Sequence, residues 1–263
     1  MEKPKKNRVL PIILSLVFLG VFAFSAYSLF GYYFDALKSM RGVNTVRELV
    51  GESTPRPLPT PAASRTRNVD WTILDRFKPL HELNDELVGW IKIEGTNIDY
   101  PVMQSSEDTP EFYLAANFDK NYDVNGLPFL DYRCEIGPNS NHMLVYGHNM
   151  KSKIMFHHLT DYESEEHWRE HPYILFDTIY EEATYEIFAA FIFDVGSMTK
   201  TSFQFHRYTE FEKADWDDFI KEVKRRSVYD TGITPVFGEE ILTLATCEYT
   251  TWNSRFVVIA RRV

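Results

Sequence analysis

Residues 241–260 read Ile-Leu-Thr-Leu-Ala-Thr-Cys-Glu-Tyr-Thr-Thr-Trp-Asn-Ser-Arg-Phe-Val-Val-Ile-Ala, near the end of a chain of 263 residues. Both ends of this stretch are short runs of apolar, β-branched and aromatic residues, and a polar segment separates them. The pattern is typical of two strands joined by a short turn. Strands connected in this way place Cys247, at the end of the first run, beside Arg255, at the start of the second.

Six further segments of the same kind precede this pair. They are short, rich in β-branched or aromatic residues, and bounded by turn residues. They comprise residues 90–93, 98–102, 127–131, 143–146, 173–176 and 185–193. Short strands in this number, with helices at the periphery, predict a mainly β fold, a mixed β-barrel.

Two other regions have helical periodicity. Apolar residues recur every three or four positions across residues 71–87, and Pro79 interrupts them, so we expect two short helices there. A long insert precedes the last two strands, and its second half, residues 211–227, carries an apolar stripe typical of a helix. Thr209 with Glu212 predicts a capping box at the start of that helix.

The N-terminus has the pattern of a membrane anchor. Residues 1–8 carry four basic residues against one acidic residue, and residues 9–34 carry no charge. About 20 apolar residues in a helix span a bilayer, and a basic flank stays inside the cell. The alternative is a signal peptide cleaved near Ser25 or Ala26. Either reading exports the rest of the chain, and we expect a single-pass protein with a cytoplasmic N-terminus.

The sequence divides into three parts. Residues 1–34 are the expected anchor, residues 35–68 a helical stalk followed by a linker, and residues 69–263 the folded domain. The linker is assigned from its composition, since a proline-rich polar segment cannot build a core. Its prolines are Pro55, Pro57, Pro59 and Pro61.

Composition excludes several classes of protein. The net charge of −10 argues against binding to nucleic acid, which requires a basic face. Two cysteines, Cys134 and Cys247, are too few for a disulfide framework. We expect neither a cofactor nor a metal ion.

Three side chains are candidates for catalysis. Cys247 ends a strand and is followed by polar residues, a position where a thiol meets solvent, although a free cysteine is often buried and inert. A thiol needs a nearby base or cation to become a nucleophile, and His148 also lies at the end of a predicted strand. Arg255 beside the cysteine would stabilise an oxyanion, or it is an ordinary surface arginine.

Together these residues resemble the sortase family. Residues 243–247, Thr-Leu-Ala-Thr-Cys, followed by Arg255 on the next strand, resemble the sortase signature, and Tyr146-Gly147-His148 resembles its histidine segment. The resemblance implies an eight-stranded sortase barrel and a cysteine transpeptidase. It assigns Cys247 as nucleophile, His148 as acid and base, and Arg255 as the clamp for oxyanion and substrate.

The resemblance also implies the substrates. A sortase cleaves the C-terminal sorting signal of a secreted protein after Thr, holds the product as a thioester on the cysteine, and transfers it to an amine of a cell-wall precursor. Residues 83–104, the helix-bearing insert before the cysteine strand, and an end at Val263 without a second membrane segment resemble class B in particular. Class B often has Ser where this chain has Ala245, which leaves the preferred sorting motif open.

Four further residues are expected at the substrate. Ala245 and Thr246 flank the nucleophile within the signature. Glu248 follows the cysteine and is as well explained as a plain carboxylate at the rim. Leu114 resembles a residue of the class B groove but is as well explained by core packing.

Two rival functions remain at this point. An exported cell-wall cysteine peptidase or amidase would also use Cys and His, but it usually places the cysteine at a helix N-terminus. A non-catalytic, anchored surface receptor would keep Cys247 as a buried thiol. The position of Cys247 after a strand favours the sortase interpretation, and Cys134 fits no motif and is interpreted as structural.

Overall fold

The computed structural model describes residues 9–51, 69–137, 140–196, 202–248 and 254–263. Its strands are β1 (Leu87–Lys92), β2 (Asp99–Met103), β3 (Phe129–Leu130), β4 (His142–Gly147), β5 (Tyr173–Thr178), β6 (Thr184–Asp194), β7 (Ile241–Glu248) and β8 (Ser254–Arg262). They close into a barrel in the order β1-β2-β3-β4-β7-β8-β6-β5. The predicted eight-stranded barrel is therefore confirmed, and all eight expected segments contain a strand.

The central ladder of the barrel joins β4 and β7 in parallel. Its register runs from His142 opposite Ile241 to Gly147 opposite Thr246. Parallel strands end at the same edge of a sheet, so the residues that follow β4 emerge beside the end of β7. The antiparallel pairing of β7 with β8 then brings the start of β8 to that rim.

The structure contains α1 (Val9–Val50), α2 (Lys78–Leu83), α3 (Glu165–Glu170) and α4 (Lys213–Arg226), besides short 3₁₀ turns. Helix α4 confirms the predicted helix of the insert and packs against β6. Its apolar stripe is buried as expected. The stripe consists of Trp216, Phe219, Ile220 and Val223.

A buried histidine ties this insert to the central ladder. His142 Nδ1 lies 2.5 Å from the carbonyl oxygen of Tyr208, and Nε2 lies 2.8 Å from the hydroxyl of Thr243. Its ring also stacks on Phe211 of the insert. Burial lowers the pKa of His142 to about 3, so the ring is neutral, donates to Tyr208 and accepts from Thr243.

Two local predictions are wrong. Only one helix, α2, forms between residues 71 and 87, and Pro79 lies in its first turn, where a missing N–H costs no hydrogen bond. The segment before it turns because the backbone N–H of Leu74 bonds to the carbonyl of Ile179 on the barrel. The capping box is absent, since Glu212 is the N-cap residue of α4 and its side chain makes no capping hydrogen bond.

Helix α1 continues without a break through the expected stalk. The buried side chains of its second half recur every three or four residues and pack against α2 and β2. They are Ala36, Ser39, Val43, Val46 and Val50. Ser39 donates a hydrogen bond of 2.7 Å to Asp123, and Arg47 donates one of 2.6 Å to the carbonyl of Asp99. The predicted linker, residues 52–68, lies outside the described residues.

We expect a chain that starts at Val69 to fold, but to melt at a lower temperature than one that starts at Asp35. The shorter chain uncovers the apolar surface of the barrel that the second half of α1 buries. A difference on the order of 5 °C follows for a domain of this size. Calorimetry of both proteins measures it, and equal melting temperatures would show that the helix contributes nothing to the stability of the barrel.

Candidate active site

A cavity of about 430 Å³ opens at the rim where β4 and β7 end and β8 begins. Its lining combines residues from these three strands with the segment that precedes β3. Leu114, Tyr146, His148, Ala245, Thr246 and Arg255 all contribute to it. All of these except Tyr146 are site residues expected from the sequence, so the cavity brings together five of the seven. The other two, Cys247 and Glu248, come directly after Thr246 in the chain.

His148 is held at the mouth of this cavity. It follows the last residue of β4, is half-buried, and has Nε2 2.8 Å from the carbonyl oxygen of Leu114. A carbonyl only accepts hydrogen bonds, so Nε2 carries the proton of the neutral ring and donates a hydrogen bond to the carbonyl of Leu114. The nitrogen left to gain or release a proton is Nδ1.

The backbone of Cys247 lies between the other two candidates. Cys247 pairs with Arg255 across β7 and β8, and the preceding residue, Thr246, pairs with Gly147 across β7 and β4. Cys247 and His148 are thus the next residues on two adjacent parallel strands. The side chains of Cys247 and Glu248 lie outside the described part of the structure.

Arg255 is one of the residues that line the cavity. The side chain is half-buried, and Nη1 donates a hydrogen bond of 3.1 Å to the carbonyl of Ser254. The acceptor belongs to the neighbouring residue in the chain, and the bond uses one of the five N–H donors of the guanidinium. A carboxylate partner of Arg255 is not among the ion pairs of the described residues, so its charge is available to the cavity.

Thr246 brings a polar group that is not satisfied within the protein. The residue is 1% exposed, and its hydroxyl oxygen has no hydrogen-bond partner among the described residues. A buried unpaired hydroxyl costs free energy until a partner arrives. Ala245, beside it, is buried and presents only a methyl group.

An ion pair that sequence reasoning missed forms another part of the cavity wall. Arg133 donates to Asp131 through Nε at 2.8 Å and through Nη2 at 2.7 Å, and also to the carbonyl of His206 at 2.8 Å. Burial alone raises the pKa of Asp131, but the hydrogen bonds and charge of Arg133 outweigh it and the pKa lies below its usual value. An acidic residue two positions before an arginine is too common a pattern to single out.

Comparison with known proteins agrees with the family expected from the sequence. The family model of the sortase domain matches residues 91–263. The chain belongs to the sortase family. Sortase B of Staphylococcus aureus is 33% identical over 71% of this chain and 74% of its own length. Sortase B of Listeria monocytogenes is 31% identical over 89% of this chain and 88% of its own length.

Solved structures extend the agreement to the fold. A sortase B of B. anthracis in complex with AAEK1 superposes with a TM-score of 0.70 at 26% identity, and covers 88% of this chain and 99% of its own. A substrate complex of Staphylococcus aureus sortase B has a TM-score of 0.64 at 30% identity, over 73% of this chain and 86% of its own. The expected class B assignment and cysteine transpeptidase activity are confirmed. Neither the amidase nor the receptor interpretation gains support.

The other cysteine of this sortase, Cys134, is buried. Cys134 is 4% exposed, and burial raises the pKa of its thiol to about 12. A thiol that stays protonated is a poor nucleophile. This supports the interpretation of Cys134 as a structural residue.

The sequence offered no clue to the group that orients His148. The carbonyl of Leu114 belongs to a 3₁₀ turn, Phe112–Ala115, and any residue type supplies a carbonyl.

No group of three or more His, Cys, Asp or Glu residues with the arrangement of a metal site occurs in the described ranges.

Gly147, the residue before His148, lies close against the ring of Phe156 in the sortase. A Cβ atom added at Gly147 would lie 2.8 Å from the ring of Phe156, which is fully buried. We expect Gly147→Ala to cost about 1–3 kcal/mol of stability, because the buried ring cannot move aside freely. Displacement of His148 should lower the rate of peptide cleavage by more than about tenfold.

Gly137→Ala is the matched control, because a Cβ atom there meets nothing within 4 Å. Thermal unfolding and cleavage of a sorting peptide should be unchanged in that control. If Gly147→Ala keeps the wild-type rate, then the close contact with Phe156 does not position His148.

Proposed function

We propose that Cys247, His148 and Arg255 carry out the transpeptidation. The observation that carries the proposal is the strand register. It sets the backbone of Cys247 opposite Arg255 and one position beyond the pair of Thr246 with Gly147. His148 and Arg255 line the same cavity, from either side of β7.

The first half of the reaction forms a thioester. The thiolate of Cys247 attacks the carbonyl carbon of Thr in the sorting signal, and the carbonyl oxygen becomes an oxyanion. Guanidinium N–H groups of Arg255 donate to that oxygen. The protonated ring of His148 gives the proton on Nδ1 to the departing amine, the C–N bond breaks, and the acyl group stays on sulfur.

The second half transfers the acyl group. The amine of a cell-wall precursor attacks the thioester carbon, and neutral His148 accepts its proton at Nδ1. The C–S bond then breaks and the thiolate of Cys247 returns. The hydrogen bond from Nε2 to Leu114 keeps the ring in one orientation through both halves, so the same nitrogen works as acid and as base.

The sorting peptide lies in the cavity in this proposal. The size of the cavity and its lining of apolar, polar and charged residues suit an extended peptide of a few residues. A solved neighbour is described as a sortase B-substrate complex. The unpaired hydroxyl of Thr246 gains a backbone group of the peptide as its partner. Ala245 and Leu114 supply apolar contact, and Glu248 follows the nucleophile at the rim.

The proposed location is the cell membrane, with residues 69–263 as the extracellular catalytic domain. Helix α1 is long and apolar enough to cross a membrane near the N-terminus. The basic residues before it favour a cytoplasmic N-terminus. The partners are secreted proteins with a C-terminal sorting motif and an amine of the peptidoglycan precursor.

Mass spectrometry of the intact protein with peptides that contain Thr-Gly or Thr-Asn bonds tests the nucleophile. We expect an adduct with the mass of the peptide up to Thr, located on Cys247, and its loss in Cys247→Ala. Cys134→Ala is the matched control and should keep the adduct, since that thiol is buried. An adduct that persists in Cys247→Ala would move the nucleophile elsewhere.

Arg255 is tested by comparing two reactions. Removal of an oxyanion donor typically costs about 10²–10³ in rate, so we expect Arg255→Ala to lose that factor in peptide cleavage. Arg255→Lys should recover part of it, because lysine keeps the charge without the planar fork. Alkylation of Cys247 by iodoacetamide should slow much less, because that reaction forms no oxyanion.

An equal loss in cleavage and alkylation would mean that Arg255 acts by stabilising the thiolate instead. If neither rate changes, Arg255 has no part in the reaction.

A further inference from the structure

Helix α1 has two surfaces of different character along its length. All residues from 10 to 30 are exposed, whereas from Ala36 onward one side of the helix is buried against the barrel. At a rise of about 1.5 Å per residue, residues 10–30 span about 30 Å, the thickness of a bilayer's hydrocarbon core. The exposed segment therefore ends at the membrane surface just before the docked segment begins.

Tyr32 marks this boundary. Tyrosine is enriched at the interface between a bilayer and water, and Tyr32 and Tyr33 lie at the C-terminal end of the uncharged segment, just after residues 10–30. The hydroxyl of Tyr32 accepts a hydrogen bond of 2.9 Å from the backbone N–H of Ser152. Ser152 consequently lies at the depth of the lipid headgroups.

Ser152 belongs to a short loop, residues 150–155, that we name the lysine loop. Its two basic side chains, Lys151 and Lys153, are both exposed. The carbonyl of Lys153 accepts a hydrogen bond of 3.3 Å from Asn97. Lys153 and Met155 both have positive φ, 61° and 56°, so the loop has a defined shape.

The loop has a second attachment to the barrel. The backbone N–H of Met155 donates a hydrogen bond of 3.0 Å to the hydroxyl of Tyr100, which is fully buried. Tyr100 also donates a weak contact of 3.8 Å to the sulfur of Met40 on α1. The lysine loop is therefore held by both the anchor helix and the barrel, and cannot turn away from the membrane without breaking these contacts.

We propose that the lysine loop rests on the bilayer and that Lys151 and Lys153 bind the phosphates of anionic phospholipid headgroups. The proposal rests on the membrane anchorage given under Proposed function. The chain carries a net charge of −10, so an anionic surface repels most of it. Lys151 and Lys153, which are exposed beside helix α1, attract the anionic headgroups locally and offset this repulsion.

The lysine loop is joined to the rim of the active site. His148 lies four residues before Ser152, and its carbonyl accepts a hydrogen bond of 2.8 Å from the N–H of Phe156, just after the lysine loop. Contact of the loop with lipid therefore fixes the rim that carries His148 close to the membrane surface. The substrates are processed next to the bilayer and not at the far end of a flexible tether.

The test uses the full chain in lipid nanodiscs made of phosphatidylcholine, with or without phosphatidylglycerol. Hydrogen–deuterium exchange of the lysine loop is measured in both. We expect phosphatidylglycerol to slow exchange on the order of tenfold at low salt, and high salt to remove most of the slowing. Lys151→Gln with Lys153→Gln should abolish the effect.

Lys213→Gln with Lys221→Gln is the matched control. It removes the same charge from exposed positions on α4, which packs against β6. In this control, phosphatidylglycerol should slow hydrogen–deuterium exchange of the lysine loop as much as it does in the wild type. Equal slowing in the lysine-loop variant and the wild type, or no slowing in the wild type, overturns the proposal.

Tyr32→Phe tests the depth of the loop separately. It removes the acceptor for Ser152, so exchange of the Ser152 amide should accelerate in both kinds of disc. Unchanged exchange at Ser152 would remove the link between the loop and the anchor, and the proposal with it.

Two further measurements separate this proposal from the proposed function. Failure of the chain to enter nanodiscs would reject the anchor itself. Peptide cleavage by the detergent-solubilised lysine-loop variant reports on the catalytic assignment, and it should equal that of the wild type.

Discussion

The parallel pairing of β4 with β7 is the constraint on which the site depends. Two parallel neighbours end at the same edge, so one ladder delivers His148 and Cys247 to one rim. An antiparallel pairing of the same strands would send them to opposite ends of the barrel. Parallel neighbours also need a long crossover, and the chain between them supplies β5, β6 and the insert with α4.

The crossover segment packs against the β4–β7 ladder that it connects. His142, at the end of β4 that lies away from the site, makes the contact. Its ring bonds to the insert through Tyr208 and to β7 through Thr243, with both nitrogens satisfied. A buried polar group with all its partners rigidifies a core, whereas one that lacks a partner is costly. The ladder is thus fixed at the His142 end, and at the other end the buried Thr246 hydroxyl, on a residue that lines the cavity, has no partner among the described residues.

Much of this arrangement is predictable from the sequence because it is local. Eight strands follow from runs of β-branched and aromatic residues, and the neighbouring positions of Cys247 and Arg255 follow from the short polar segment in the sequence between two of them. Helix α4 follows from its apolar stripe. The spacing of Ala36, Ser39 and Val43 indicates a helix, but it does not indicate that the barrel covers that face.

The remaining features are non-local or carried by the backbone. The β4–β7 register joins residues about 100 positions apart, and neither strand alone specifies its partner or direction. The carbonyl of Leu114 that orients His148 has no sequence signature. Residues 71–77 have helical spacing yet form a turn, because the barrel offers the carbonyl of Ile179 to Leu74 and tertiary contact overrides the local preference.

The position of His148 results from contacts on both sides of it in the chain. On one side β4 runs into it from the central ladder, and Leu114 accepts from its ring. On the other side the chain returns at Phe156, whose N–H bonds to the carbonyl of His148 after a loop that contacts Tyr32 and Tyr100. In the proposed mechanism His148 carries a proton in two successive steps, and that role gains from fixed geometry, because a misplacement of about 1 Å can cost 10²-fold in rate. The same loop that returns the chain to the histidine also contacts helix α1, so the fold links the position of the His148 ring to that helix.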